Sequence, residues 1–343
     1  MDHTDDFSGL TFVDFLNSLD DEELATDADG RVSEPVLHEM AREGKIDELQ
    51  EALELCDDLT EKLTEENENG QTPLEAAAAG GSAEAIRLLL EKGADPTERE
   101  HGGRWALLLA ARSGTTEAAE HLLDAGVELN AGTEVGSDPE EGESSEARIG
   151  QSNLVFAAAE SGPVGTLRLL LEEGARADAT SDLGRTPLHL AAEESEAKTR
   201  LLLKAGATVD PVDDYGRTPL SFAAGGGRPG ALRALLSWGA DPARTDPSGA
   251  TPLHHAVSSD REAPLRILIE HGADVNKPNE WGETPLHKAA EIAHFGPARV
   301  LLEAGADPLV ENNDGEIPTQ MDPVALPSEA DEINTLIRSY IET

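Results

Sequence analysis

The sequence predicts an all-α solenoid. About eight helix-turn-helix units stack side by side, each followed by a protruding hairpin-like loop, and a cap closes the C-terminal end. Three observations carry this. The tripeptide TPL recurs at Thr72, Thr186, Thr218, Thr251 and Thr284. A Gly-Ala or Gly-Val pair closes successive units at Gly93, Gly126, Gly174, Gly206, Gly239, Gly272 and Gly305, at intervals of 33, 48, 32, 33, 33 and 33 residues. Each unit carries two short apolar runs at helical spacing. One period with two interruptions marks supersecondary units that bury their apolar faces on their neighbours.

The unit 251–283 shows the local logic. Thr251 can cap a helix, and Pro252 suits its first turn, where a missing N–H costs nothing. Leu253, Ala256 and Val257 form one apolar face of that helix. LRILIEHG then supplies a second helix, which Gly272 can end in the left-handed conformation. ADVNKPNEWGE runs out and back as a loop rich in turn formers.

TPLHLAA at 186–192, TPLHHAV at 251–257, TPLHKAA at 284–290 and GADVN at 272–276 resemble the ankyrin repeat. The resemblance spans residues 34–343. It implies a rigid array that binds other proteins through its loop tips and the exposed surface of its first helices.

The elements follow in order. Residues 1–33 form an acidic segment outside the array, with Phe12, Phe15, Leu16 and Leu19 on one face of a short amphipathic helix. It either shields the first unit or docks into a partner groove. The first unit starts at Pro35, with an elongated second helix and Cys56 at the glycine position that should end it. Further units begin at Thr72, Trp105, Asn153, Thr186, Thr218, Thr251 and Thr284. Trp105 stands where most units have Thr. The unit at Thr186 is one residue short before its second helix and lacks the inter-helix glycine. An enlarged loop occupies 131–152, either a neutral insertion or a partner-contacting segment. Residues 317–343 form a degenerate capping repeat, with a capping box from Ser328 and Asp331.

Composition narrows the function. Asp and Glu total 69 against 26 Lys and Arg, a net charge of −43, with 38% hydrophobic and 3% aromatic residues. No basic run could release counterions from phosphates, so nucleic acid and anionic membranes are excluded as expected partners. Such charge strains the folded state by self-repulsion, a burden that salt screens. The abundance of carboxylates with few lysines is similar to cytosolic proteins of salt-loving archaea. The melting temperature should therefore rise with KCl between about 0.1 and 3 M, past the point where the Debye length falls to about 3 Å. A flat curve would remove the halophilic reading. Cys56 is the single cysteine, which rules out an intramolecular disulfide and a cysteine-based zinc site. The start MDHTDDFSGL lacks a signal-peptide pattern, and no apolar run reaches membrane-spanning length. The expectation is a cytoplasmic monomer.

No phosphate-binding glycine loop, nucleophile elbow or HExxH motif occurs, so no catalytic residue, metal or cofactor is expected. His38, His189, His254 and His287 all sit three residues after the first position of their units, where other units place Glu75, Leu108, Phe156 and Ser221. The resemblance implies that this histidine ties neighbouring loops together. His255 lies about 100° around the helix from His254, so the pair does not face one ion easily.

The expected function is protein binding. The loop tips include His101 and Arg104; Leu183 and Arg185; Tyr215 and Arg217; Pro247 and Ser248; Glu280, Trp281 and Glu283. Aromatic and Arg residues are the usual interface anchors. Tyr215, Arg217 and Trp281 are therefore the leading partner-binding candidates, with Arg185, Leu183 and Glu283 beside them and Trp105 more structural. The alternative is an inhibitor or immunity-type protein that covers a basic enzyme. An enzyme with an unrecognised carboxylate site is the remote alternative.

Overall fold

A computed structural model describes residues 34–56, 58–97, 103–113, 115–129, 151–181, 183–321 and 327–342. The N-terminal segment 1–33, His101 and residues 131–150 of the enlarged loop lie outside them. The described residues are helical and contain no strand. They divide into two compact units, Met1–Ala175 and Arg176–Thr343.

The first unit holds α1 (Glu34–Glu43), α2 (Ile46–Glu54), α3 (Leu59–Thr64), α4 (Pro73–Gly80), α5 (Ala83–Glu91), α6 (Arg104–Ser113), α7 (Thr116–Asp124), α8 (Gln151–Glu160) and α9 (Val164–Glu172). The second holds α10 (Pro187–Glu194), α11 (Glu196–Lys204), α12 (Pro219–Gly225), α13 (Pro229–Ser237), α14 (Pro252–Val257), α15 (Glu262–Glu270), α16 (Pro285–Glu291), α17 (Phe295–Glu303), a 3₁₀ turn (Pro318–Gln320) and α18 (Pro327–Ile341). Within the second unit the first helices pack in one layer, α10 on α12, α12 on α14 and α14 on α16. The second helices form the other layer, α11 on α13, α13 on α15 and α15 on α17. The core is a Leu/Ala seam between the layers, with Leu188, Leu202, Leu220, Leu232, Leu253 and Leu265 all wholly buried.

Local chemistry explains the regularity. Thr72, Thr186, Thr218, Thr251 and Thr284 stand at the N-caps, each followed by Pro. The seven closing glycines from Gly93 to Gly305 have φ between 88° and 101°, which a side chain resists. The turn between paired helices takes a second left-handed residue in five units. Gly44, Gly81 and Gly227 fill it in three of them, whereas Asp260 (φ 49°) and Ala293 (φ 54°) take it without that freedom.

Three local expectations are corrected. The second helix of the first unit is not elongated. It ends at Glu54, and a separate short helix, α3, follows, capped by Asp58, whose carboxylate accepts the Glu61 amide at 3.1 Å. Cys56 has no positive φ, so the left-handed stop of the other units is absent and the chain turns differently. Trp105 and Asn153, the expected first positions of their units, lie inside α6 and α8, which begin at Arg104 and Gln151. Ser328 sits in the first turn of α18 rather than at its cap, because Pro327 opens that helix. The short unit at Thr186 is as expected: Ser195 alone ends α10 and caps α11, accepting the Lys198 amide at 3.4 Å.

Candidate functional site

The hairpin tips of the second unit share one construction. A side-chain oxygen at the first turn position accepts the amides two and four residues on. Asp213 Oδ1 accepts Tyr215 N at 3.0 Å and Arg217 N at 2.9 Å, and Asn279 Oδ1 accepts Trp281 N at 3.0 Å and Glu283 N at 2.9 Å. A glycine with positive φ follows at Gly184, Gly216, Gly249, Gly282 and Gly315. This leaves the residue before the glycine at the outermost point. Leu183, Tyr215, Ser248 and Trp281 therefore share one register, and Leu183, Tyr215 and Trp281 are 44%, 57% and 58% exposed.

Neighbouring tips are joined by backbone bonds. Asp214 N donates to Leu183 O at 3.0 Å, Glu280 N to Ser248 O at 2.9 Å and Asn313 N to Trp281 O at 2.9 Å. The residue in that register between Tyr215 and Ser248 is Pro247, which has no N–H to donate.

The histidines add a second set of ties. His189 Nδ1 accepts the Thr186 amide at 3.0 Å, and its Nε2–H donates to Arg217 O at 2.9 Å. His254 repeats this with Thr251 N (3.1 Å) and Glu283 O (3.1 Å), and His287 with Thr284 N (3.1 Å) and Glu316 O (3.0 Å). His38 reaches Glu65 O at 3.0 Å. Accepting at Nδ1 while donating at Nε2 requires the neutral ring. Burial holds His189 and His287 below their ordinary pKa and pushes His254 down to about 4. Glu75 and Gln320 accept the same amide in other units, whereas Ser221 only donates its own N–H to Thr218 Oγ1. His255 instead faces Asp246, with Nε2 3.1 Å from Oδ2, and burial lowers its pKa. Among the described residues, no group of three or more His, Cys, Asp or Glu is placed to hold a metal ion.

The structure brings four of the six predicted contact residues together. Leu183, Arg185, Tyr215 and Arg217, with Asp214, Asp246, Pro247 and Ser248, line an open depression of about 570 Å³ at the tips. Two of these residues, Arg185 and Arg217, belong to a substructure that the sequence did not announce. The Asp213 side chain is wholly buried, and its Oδ2 accepts Arg217 Nε at 3.0 Å and Nη2 at 2.7 Å. Burial alone would raise the Asp213 carboxyl, but the Arg217 bonds hold it below its ordinary range. The Arg217 guanidinium lies 4.6 Å from the Phe222 ring centre and 5.1 Å from that of Tyr215. Arg185 stacks on the same Phe222 at 5.2 Å, and its Nε, buried without a hydrogen bond, stands 3.8 Å from Asp213 Oδ2. Arg217 is thus largely engaged within its own hairpin, while the Arg185 Nε is sealed from solvent beside the same carboxylate.

Trp281 and Glu283 lie outside this depression. Glu283 is half-buried and accepts Asn279 Nδ2 at 3.0 Å, so it braces its own turn. Trp105 is half-buried within α6. Asp213, Phe222 and Asp246 escaped the sequence reading. An acid four residues before Arg217 was the signal for Asp213; nothing local marked Phe222 as the plate beneath two arginines.

Comparison with known proteins places this geometry. A family model described as "Ankyrin repeats (3 copies)" matches residues 37–133, 154–246 and 239–312, most of the chain. The human protein "DNA-binding protein RFXANK" is 45% identical over 60 residues, 18% of this chain and 22% of its own length. The chain therefore matches about a fifth of that relative. No helix among the described residues is long and apolar enough to cross a membrane.

Proposed function

The chain belongs to the ankyrin-repeat family, and on that premise we propose that it is a binding module that grips a partner protein at the hairpin tips of residues 181–283. The observation that carries this is the tip register itself. Two of the five Tyr and Trp residues in the whole chain stand at the outermost tip position, each more than half exposed. Large rings held out on braced turns lose little entropy on binding and bury much area, which is how interface anchors work. Tyr215, Trp281, Leu183 and Arg185 make the contacts in this reading, while Arg217 and Glu283 hold their turns in shape.

The partner is a protein rather than nucleic acid. The human relative's name mentions DNA, but a net charge of −43 repels phosphates, and the shared stretch is short.

A pull-down from native lysate compares the wild type with Tyr215→Ala combined with Trp281→Ala. The double variant should lose the partner recovered by the wild type. Equal recovery of that partner sinks the assignment.

A further inference from the structure

The loops of the second unit are also joined lower down, just past each closing glycine. Asp178, Asp210 and Asn276 share one register there, four residues after Gly174, Gly206 and Gly272. Each accepts an amide of the following loop: Thr208 N at 2.8 Å, Asp241 N at 2.9 Å and Asp307 N at 2.8 Å. The three differ in what the second side-chain atom does. Asp178 Oδ2 accepts the Thr208 hydroxyl at 3.2 Å. Asn276 Nδ2 donates to Gly305 O at 3.3 Å. Asp210 Oδ1 is sealed from solvent and finds no hydrogen-bond partner among the described residues. Asp241 has no hydroxyl to offer it, and its own carboxylate accepts Ala243 N. Asp210, Gly239 and Asp241 each stand 66 residues before Asn276, Gly305 and Asp307. Asp210 Oδ1 therefore takes the place of Asn276 Nδ2, towards the Gly239 carbonyl. An ionised carboxylate would set two acceptors against each other there, whereas a protonated one supplies the missing donor.

We propose that Asp210 closes this joint with a proton: in the folded chain Oδ1 takes up H⁺ from solvent and donates it to Gly239 O, and it returns the proton as pH rises. The surrounding groups agree. Burial raises the Asp210 carboxyl above its ordinary value of 3.8, and the Asp241 carboxylate adds to this, while the Asp241 amide and the Arg244 guanidinium oppose it. On the side of the preceding loop, the Asp178 carboxylate is taken up by Thr208. The contribution of the joint is complete below 3.8 and is lost as pH rises through the higher folded value. The same two hairpins lack the tip bond, because Pro247 has no N–H to give to Tyr215 O. The joints on either side carry the neutral His189 and His254 ties, whose contribution falls with acid. Acid therefore tightens this joint while it loosens its neighbours. The device does not depend on what binds at the tips.

A carboxyl-carbon NMR titration of the full chain tests it. The Asp210 carboxyl should titrate above 3.8, and the Asp241 amide proton should shift with the same midpoint. Asp210→Asn copies Asn276 and gives Gly239 O a permanent donor. It should abolish that step at Asp241 and raise the melting temperature at pH 7 by about 2–4 °C, a gap that closes as pH falls through the Asp210 midpoint. Asn276→Asp should import the behaviour, giving the Asp307 amide a pH step that the wild type lacks. An Asp210 carboxyl that titrates at 3.8 or below overturns the proposal. So does an Asp241 step that survives Asp210→Asn, or an Asp307 amide that gains no step in Asn276→Asp.

Discussion

The hairpins of Tyr215 and Trp281 occupy one register and project equally, at 57% and 58% exposure, yet they are held by different physics. The Trp281 hairpin is neutral at its anchor, Asn279, and is clamped by the next loop through Asn313 N to Trp281 O and Asn313 Nδ2 to Glu280 O at 2.8 Å. The Tyr215 hairpin has no such clamp. A buried carboxylate, a chelated arginine and an aromatic plate hold it from below. Equal exposure therefore conceals unequal chemistry. Trp281 offers a ring on a closed edge, whereas Tyr215 offers a ring backed by its own arginine.

The largest effect should come from breaking the anchor. Asp213→Ala strands the Arg217 guanidinium and unpins two amides, and should cost about 3–4 kcal/mol in urea unfolding. Asn279→Ala removes only neutral bonds and should cost about 1–2 kcal/mol. Equal losses would mean that the buried pair contributes no more than an ordinary turn.

Acid should act next, through the tie that joins the Trp281 hairpin to the preceding unit. His254 binds its proton less well when folded, at about 4, than its ordinary value of 6.5. Its contribution is therefore complete above pH 6.5 and is lost as pH falls towards 4, because the unfolded chain takes up the proton first. The loss should approach about 3 kcal/mol across that window. His254→Gln copies Gln320, which caps the 3₁₀ turn by accepting Ile317 N at 2.9 Å. The variant should be less stable at pH 7, where the bond to Glu283 O is gone, and should fall less steeply with acid. Parallel pH curves for wild type and variant would show that His254 is not the titrating group.

The smallest effect should come from the rings themselves. Tyr215→Ala and Trp281→Ala each lie at exposed tips, and each should change stability by no more than about 0.5 kcal/mol. A larger loss in thermal unfolding for Tyr215→Ala would show that its contact with Arg217 belongs to the fold rather than to a partner surface.

Much of this was legible in the chain. The TPL caps, the closing glycines and the histidine register are written locally, and the tip positions follow from counting back from a turn glycine. The first unit was harder to read. Whether α2 continues past Glu54 depends on Cys56 lacking the left-handed stop and on Asp58 starting a new helix, a balance that periodicity does not reveal. Trp105 and Asn153 kept the register of a cap, yet α6 and α8 start before them.

The sequence alone determined what each unit is, because caps, left-handed glycines and apolar faces act over a few residues and repeat with the period. Only the tertiary structure decided which units are tied to which. The His189, His254 and His287 bonds join atoms 28 or 29 residues apart, and the tip ladder joins loops separated by whole helix pairs. Such ties depend on where stacked units come to rest. That is why Pro247, unremarkable as a letter, proves to interrupt the tip ladder, and why Arg185 and Phe222 meet across neighbouring units.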